Sequence, residues 1–199
     1  MANHLNGYID SEFDKSIKLL NAMSADVALR ELLARVVTLS VEALKRGNKL
    51  LFAGNGGSAA DAQHWAGELV SRFNFDRPGL AAIALTTDTS ILTAIGNDYG
   101  YDYVFARQVE ALGRSGDLLF AISTSGNSKN IVRAIKAARD AGIGVIGFTG
   151  QGGGAMAELC DVCFRMPSGE TPKIQEGHEF LGHLICGLIE YEMFTDAKG

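Results

Sequence analysis

The sequence predicts an α/β protein, a three-layer doubly wound sandwich around a mostly parallel sheet of five strands, preceded by long N-terminal helices. Short apolar runs recur along the chain, with helical segments between several of them. Most of these runs are uniformly apolar, which is typical of strands buried on both faces of a parallel sheet. The 199 residues, of which 47% are hydrophobic and 21% charged, fit one globular domain.

The chain begins with two predicted helices. Residues 8–23 are periodic, residues 29–44 carry a broad apolar face that only Ser40 interrupts, and Gly47 is expected to end the second helix in a left-handed conformation. We expect the apolar faces of these helices to be buried between subunits, together with aliphatic side chains of the last helix. Residues 1–47 would then serve oligomerisation.

Residues 48–199 are predicted to form the α/β core and the C-terminal helix of the same single domain, because no Pro-, Ser- or charge-rich linker divides the chain. A helix is expected to begin near Ser58. Strands are predicted at 48–54, 81–87, 117–123, 144–150 and 161–166, and further helices at 128–141 and 174–194.

Charge and composition exclude several classes of function. A net charge of −5, from 18 basic and 23 acidic residues, gives no electrostatic footprint for nucleic acid or an anionic membrane. No run of 18 apolar residues is present. The three cysteines are an odd number, so a reducing compartment is the simpler assumption. We therefore expect a cytoplasmic protein.

Two turns share one pattern. "LLFAGNGGSAADA" and "LLFAISTSGNSKNIV" each join an apolar strand to a helix through small and hydroxyl residues, so backbone N–H groups at a helix N-terminus are available for an anion. The second turn adds the hydroxyls of Ser123, Thr124, Ser125 and Ser128, which suit a phosphate monoester. Capping and turn chemistry alone also enrich such turns in Gly and Ser. Neither turn fits a nucleotide-binding pattern.

A histidine and a glutamate follow the first turn. His64 and Glu68 lie four positions apart and share one helix face, where they could bind zinc or provide a general base. An isolated HxxxE pair is more often a surface hydrogen-bond pair. The otherwise apolar last helix also carries polar residues that need a partner or a ligand, and spacing does not select among them. These are Gln175, Glu176, His178, Glu179 and His183.

Four motifs together resemble the sugar isomerase (SIS) domain family and, within it, the sedoheptulose-7-phosphate isomerases. They are "GNGGSAADAQHWAGE", "GNDYGYDYVF", "ISTSGNS" and "KIQEGHEFLGHLICGLIEYE". The resemblance covers nearly the whole chain. It implies the SIS fold and a homotetramer that converts sedoheptulose 7-phosphate to D-glycero-D-manno-heptose 7-phosphate, a precursor of lipopolysaccharide or capsule heptose, with one Zn²⁺ per subunit.

The resemblance also implies a set of site residues. The zinc ligands would be His64, Glu68, Gln175 and His183. Substrate would be bound by Asn55, Gly56, Gly57, Ser58, Glu68, Asn97, Asp98, Ser123, Thr124, Ser125, Ser128 and Gln175. For an isomerase, the hypothesis is that Glu68 moves the carbon-bound proton and His183 the oxygen-bound proton. Whether Glu68 ligates, abstracts or alternates stays open.

Two alternatives remain beside this function. One is a non-catalytic SIS-domain binding protein, of the kind that partners a replication initiator and lacks the intact metal-type residues. The other is an isomerase of a different phosphosugar, because the phosphate turn recognises only one end of the ligand. Gly177 departs from the apolar residue usual in the family, at a cost of about 1 kcal/mol in helix propensity unless close packing recovers it.

Overall fold

The computed structural model describes residues 2–195 and centres on a five-stranded sheet. Its strands are β1 (Leu50–Ala53), β2 (Ala82–Ala84), β3 (Leu118–Ile122), β4 (Gly144–Gly150) and β5 (Val162–Met166). Its helices are α1 (Ala2–Ala25), α2 (Val27–Lys45), α3 (Gly57–Val70), α4 (Thr89–Asp98), α5 (Ala106–Leu112), α6 (Lys129–Asp140) and α7 (Thr171–Phe194). Short 3₁₀ turns lie at Tyr101–Tyr103 and Ala157–Leu159.

The strands pair in the order β2-β1-β3-β4-β5, and every pairing is parallel. The central register aligns Phe52 of β1 with Phe120 of β3, and Phe120 with Ile146 of β4. All carboxyl ends of the strands therefore lie at one edge of the sheet, where doubly wound proteins bind their ligands.

Successive strand residues point to opposite faces and enter two separate cores. Leu50 and Phe52 pack with α1, α2, α3 and α7 on one face, whereas Leu51 and Ala53 pack with α5 and α6 on the other. Both faces of β1 are buried, which explains its uniformly apolar sequence. The predicted three-layer α/β sandwich is confirmed.

The helix ends follow their local sequence. The Asp26 carboxylate caps α2 by accepting a hydrogen bond from the Leu29 backbone N–H at 3.1 Å. Gly47 follows α2 with φ of +82°, the left-handed conformation that the sequence predicts. In α7, a Cβ on Gly177 would lie 2.6 Å from the Met166 sulfur, so the glycine allows close helix–sheet packing.

Two parts of the sheet layer differ from the expectation. The predicted strand at 81–87 shrinks to Ala82–Ala84, because β2 is an edge strand and is only partly buried. The segment after it forms α4, an amphipathic helix without buried residues, which is not among the predicted helices. The Asp88 carboxylate caps α4 by accepting a hydrogen bond from the Ile91 N–H.

The N-terminal helices pack mainly on α7. Leu19 and Met23 of α1 and Val36 of α2 are buried within the chain, so part of the surface expected between subunits is covered by α7 and the sheet. The outer face of α1 remains apolar and exposed, with Tyr8 and Phe13 each 67% accessible. Within residues 2–195, no helix is both long and apolar enough to cross a membrane.

Candidate active site and metal centre

The candidate site lies between the carboxyl ends of the neighbouring strands β1 and β3. The strand order reverses at this point, because β2 lies on one side of β1 and β4 and β5 lie on the far side of β3. The helix after β1, α3, packs on one face of the sheet, and the helix after β3, α6, packs on the other. The two turns therefore open a crevice between them, which is the usual ligand position in a doubly wound sheet.

The turn after β1 is joined to α6 by a reciprocal amide pair. Asn55 Nδ2 donates to Asn130 Oδ1 at 2.9 Å, and Asn130 Nδ2 donates to Asn55 Oδ1 at 2.8 Å. The Tyr101 hydroxyl also donates to Asn55 Oδ1 at 3.1 Å. Gly56 has φ of +58°, a conformation that turns the chain from β1 into α3.

The turn after β3 gathers the predicted hydroxyl groups. Ser123 Oγ donates to Ser128 Oγ at 3.0 Å, and Ser125 Oγ lies 3.5 Å from Ser123 Oγ. Ser125 Oγ also accepts a hydrogen bond from the Asn127 backbone N–H at 3.1 Å. Gly126 has φ of +67°, and its carbonyl accepts from the Met156 N–H. The turn is thus a small pocket of hydroxyl and backbone donors at the start of α6.

The predicted residues Asn97 and Asp98 lie at the exposed carboxyl end of α4. Asn97 Nδ2 donates to Asp98 Oδ1 at 2.8 Å. The chain that follows reaches the site, because Tyr101 bonds Asn55. A role in substrate binding for Asn97 and Asp98 stays a prediction.

Two histidines from different helices meet where α3 packs on α7. His64 Nε2 of α3 lies 2.9 Å from His183 Nε2 of α7, although 119 residues separate them in sequence. The rings are 5.0 Å apart and nearly perpendicular. This contact brings together the first and last helices of the α/β core, as the resemblance implies.

Two carboxylates border the histidine pair. Glu179 Oε1 lies 3.3 Å from both His64 Nε2 and His183 Nε2, and Glu68 Oε1 lies 3.4 Å from His64 Nε2. The second oxygen of Glu179 accepts a hydrogen bond from Trp65 Nε1 at 2.9 Å. Trp65, which is buried in the core, thus also fixes Glu179. Glu179 is one of the polar residues of the last helix but is not in the predicted ligand set.

A third carboxyl group near the cluster, that of Asp61 on α3, is not among the predicted site residues. Asp61 lies three positions before His64 and is half-buried. Burial raises the pKa of the Asp61 carboxyl to about 6, and the negative charge of Glu179 adds to this effect. Asp61 Oδ2 is buried without a hydrogen-bond partner among residues 2–195. Its helical spacing to His64 was the available signal, but an acidic residue early in a helix is ordinary.

Gln175, a predicted ligand, lies on α7 four residues before Glu179 and eight before His183, on the same helix face. Its amide packs against the first turn of α3, since a Cβ on Gly57 would lie 2.9 Å from Gln175 Cδ. Gln175 therefore borders both the metal-type cluster and the glycine turn. Ligation by Gln175 stays a prediction.

Three of these side chains are placed to hold a metal ion together. One ligand atom each of His64, Glu179 and His183 lies within 4.8 Å of the other two, and Glu68 Oε1 lies 3.4 Å from His64 Nε2. Ligand atoms around a tetrahedral zinc ion lie about 3.3 Å apart, given bond lengths of about 2.0–2.1 Å. Several acidic groups beside the two imidazoles also favour a bound cation.

Comparison with known proteins identifies the family. Residues 13–150 match the SIS domain family. The chain belongs to this family. Its relatives in the SIS domain family include the phosphoheptose isomerase of Aneurinibacillus thermoaerophilus, which is 56% identical over 192 residues that cover 96% of this chain and 97% of the relative.

Two further members of the SIS domain family are similar over their full length. The phosphoheptose isomerase of Burkholderia pseudomallei strain K96243 is 55% identical over 194 residues, covering 98% of each chain. The structure of phosphoheptose isomerase GmhA from Neisseria gonorrhoeae superimposes with a TM-score of 0.87 at 45% identity, covering 94% of this chain and 98% of the other. The predicted fold and family are confirmed.

Proposed function

We propose that this protein is an aldose–ketose isomerase that converts sedoheptulose 7-phosphate to D-glycero-D-manno-heptose 7-phosphate. Its relatives of 55–56% identity are named phosphoheptose isomerases. The observation in the structure that supports the proposal best is the meeting of His64 and His183 with Glu68 and Glu179. The product would supply heptose for lipopolysaccharide or capsule in the cytoplasm.

The turn after β3 is the proposed phosphate site. Ser123, Ser125 and Ser128 direct hydroxyl groups into one small volume, and the N-terminus of α6 adds backbone donors. Thr124 lies in the same turn, and its carbonyl accepts a hydrogen bond from the Gly150 N–H. A phosphate monoester held here would direct its sugar toward the turn after β1, through the crevice bordered by Asn55.

Isomerisation of a 2-ketose requires two kinds of proton transfer. A proton must leave one carbon and return to its neighbour, and another must move between the two oxygens. We assign the first transfer to the Glu68 carboxylate and the second to the His183 imidazole. Both side chains belong to the histidine–glutamate cluster, and each is partly exposed, so a ligand could reach them.

The contacts of the two glutamates favour different roles, a base for Glu68 and a metal ligand for Glu179. Glu179 bonds Trp65 and approaches both imidazoles, so its carboxylate is held in one orientation. Glu68 approaches His64 alone among these groups, so it retains an oxygen that can accept a proton. Glu68 thus fits the base, and Glu179 joins His64 and His183 as a candidate ligand beside the predicted Glu68 and Gln175.

A Zn²⁺ ion held by these residues would polarise the sugar carbonyl and stabilise the negative charge that develops on its oxygens. His64 and His183 are the nitrogen ligands of this proposal, and we infer one such site per subunit. The three cysteines are free thiols and two of them lie on or beside β5, apart from the proposed ligands.

We also propose that the active form is a homotetramer. The outer face of α1 exposes Tyr8, Phe13 and Ile17, and the outer face of α7 exposes Phe180, Leu184 and Tyr191. Large apolar faces on two packed helices are characteristic of subunit interfaces. A monomer in light scattering at micromolar concentration would contradict this part of the proposal.

The binding-protein alternative is less favoured, because relatives that are 55–56% identical over nearly the whole chain are named phosphoheptose isomerases and all four metal-type residues are present. The choice of phosphosugar is tested directly. Metal-loaded protein is incubated with sedoheptulose 7-phosphate, the product is identified by NMR, and zinc is measured by elemental analysis. Absence of conversion by zinc-replete protein would favour the binding protein, and faster conversion of another phosphosugar would favour a different isomerase.

Two matched variants test the roles of the glutamates. Glu68→Gln is expected to retain zinc and lose at least 10²-fold in turnover, because the amide cannot accept the proton. Glu179→Gln is expected to lose zinc affinity by about 10-fold or more, because a ligand or its orientation is lost. The reverse pattern, with zinc lost only in Glu68→Gln, would exchange the two assignments.

A further inference from the structure

A second pair of charged residues lies inside the protein next to the proposed metal site. The side chains of Arg77 and Glu190 are only 2% and 0% exposed, and Arg77 Nε donates to Glu190 Oε1 at 3.0 Å. A buried ion pair is not stabilising by itself, because both charges lose their hydration. The remaining hydrogen bonds of this pair therefore indicate what it holds in place.

Arg77 binds the carboxyl end of α3. Its Nη2 donates to the Glu68 carbonyl at 2.8 Å, and its Nη1 donates to the Leu69 carbonyl at 2.6 Å and the Ser71 carbonyl at 3.1 Å. The last carbonyls of a helix have no partner within the helix. Arg77 supplies those partners in the turn of α3 that carries Glu68.

Glu190 holds the chain that follows α3. Its Oε1 accepts from the Phe73 backbone N–H at 2.8 Å, and its Oε2 accepts from the Asn74 N–H at 2.6 Å. The Phe73 ring then lies 5.7 Å from the His183 ring. Gly187 leaves space for it, since a Cβ there would lie 3.0 Å from Phe73 Cε1.

We propose that Arg77 and Glu190 are positioning residues for the metal site: together they fix the Glu68 turn of α3 to α7 and hold Phe73 against His183. Glu190 lies seven residues after His183 on α7, two turns along the same face. The pair thus connects one ligand-bearing helix to the other. This inference rests on the proposed function, because it assumes a metal at His64 and His183.

The experiment measures metal binding rather than turnover. Apo protein is titrated with Zn²⁺ in competition with a chromophoric chelator, and the Co²⁺ form is recorded in the visible range. We expect Glu190→Gln and Arg77→Lys to bind Zn²⁺ 10–100-fold more weakly and to change the Co²⁺ absorption bands, as for other residues that orient metal ligands. The lysine keeps the charge beside Glu190 but lacks the planar fork that reaches the α3 carbonyls.

Val109→Ala is the matched control. Val109 is fully buried in the core on the opposite face of the sheet, so its truncation lowers stability without touching α3 or α7. This variant is expected to keep the wild-type zinc affinity and Co²⁺ spectrum. If a single variant fails to fold, the double variant Arg77→Met/Glu190→Leu replaces it, because it leaves no unpaired buried charge.

The outcomes separate the inference from the proposed function. Wild-type protein that binds neither Zn²⁺ nor Co²⁺ would overturn the proposed metal site. Wild-type protein that binds both, with unchanged affinity and spectrum in the Arg77 and Glu190 variants, would overturn the positioning role alone. Weakened binding in these variants but not in Val109→Ala would support it.

Discussion

The close contact between α3 and α7 at Gly182 predicts that a substitution there will weaken metal binding at the proposed site. The Trp65 indole lies directly over Gly182, one position before His183, and a Cβ on Gly182 would lie 2.5 Å from Trp65 Cζ2 and closer still to Cε2. Carbon atoms in contact are normally about 3.5–4.0 Å apart. In Gly182→Ala, the two helices would therefore have to separate locally by at least roughly 1 Å.

That displacement is large compared with what a metal site tolerates. Metal–ligand distances in proteins stay within about 0.2 Å of their usual values. Because His64 neighbours Trp65 and His183 neighbours Gly182, the proposed ligands on the two helices would move apart with the backbone. Moving Trp65 also disturbs its hydrogen bond to Glu179. We expect Gly182→Ala to lose at least about 10-fold in zinc affinity, with turnover falling in parallel.

Stability should change less than metal binding. Overpacking a core costs about 1–3 kcal/mol, and replacing a helical glycine by alanine returns about 1 kcal/mol. The net loss in the free energy of unfolding of metal-free protein is then about 0–2 kcal/mol.

The assay combines zinc content after dialysis, turnover of sedoheptulose 7-phosphate and denaturant unfolding of the metal-free protein. Gly67→Ala on α3 is the matched control, because a Cβ there meets nothing within 4 Å and should stabilise the helix. Wild-type zinc content and turnover in Gly182→Ala would refute the reasoning.

Three further predictions follow from single groups. His183→Ala should lower turnover at least 10²-fold, and near-normal activity with verified zinc would remove its assigned role. Ser125→Ala should raise the KM for the phosphosugar by about 10-fold with a smaller effect on kcat, whereas a fall in kcat alone would argue against phosphate binding. Burial lowers the pKa of the fully buried His178 to about 4, from 6.5 in unfolded chains. Because the unfolded state takes up the proton first, this stability is complete above pH 6.5 and is lost as the pH falls toward 4, by about 2 kcal/mol at pH 5. In denaturant unfolding, the free energy of unfolding of His178→Leu should not show this decrease between pH 6.5 and pH 4. The same pH dependence of that free energy in both proteins would contradict a buried neutral His178.

The sequence predicts the central strands well, because burial on both faces leaves a uniform apolar signal. β1, β3 and β4 lie within the predicted ranges. The edge strand β2 is shorter than predicted, and α4 is not predicted at all, for the same physical reason. Both have little buried surface, so tertiary contacts rather than a strong local pattern decide their extent.

The candidate site was predicted through its motifs more than through its geometry. The pairing of His64 with His183 depends on the packing of α3 on α7, which spacing within either helix cannot indicate. Glu179 shares a helix face with His183, but the sequence offers other polar residues nearby on α7, and spacing does not select among them. Asp61 and Asn130 resemble ordinary polar residues near the start of a helix, and only the fold buries Asp61 beside Glu179 and pairs Asn130 with Asn55.

The reciprocal amides of Asn55 and Asn130 set a distance as well as a contact. By tying the turn after β1 to α6, they fix the proposed phosphate-binding turn relative to α3, the helix that carries His64 and Glu68. A phosphosugar anchored at one end presents its carbonyl at a distance set by its carbon number. If the turn after β3 binds phosphate and Glu68 is the base, as proposed, then a sugar that is one carbon too short would place its carbonyl away from Glu68.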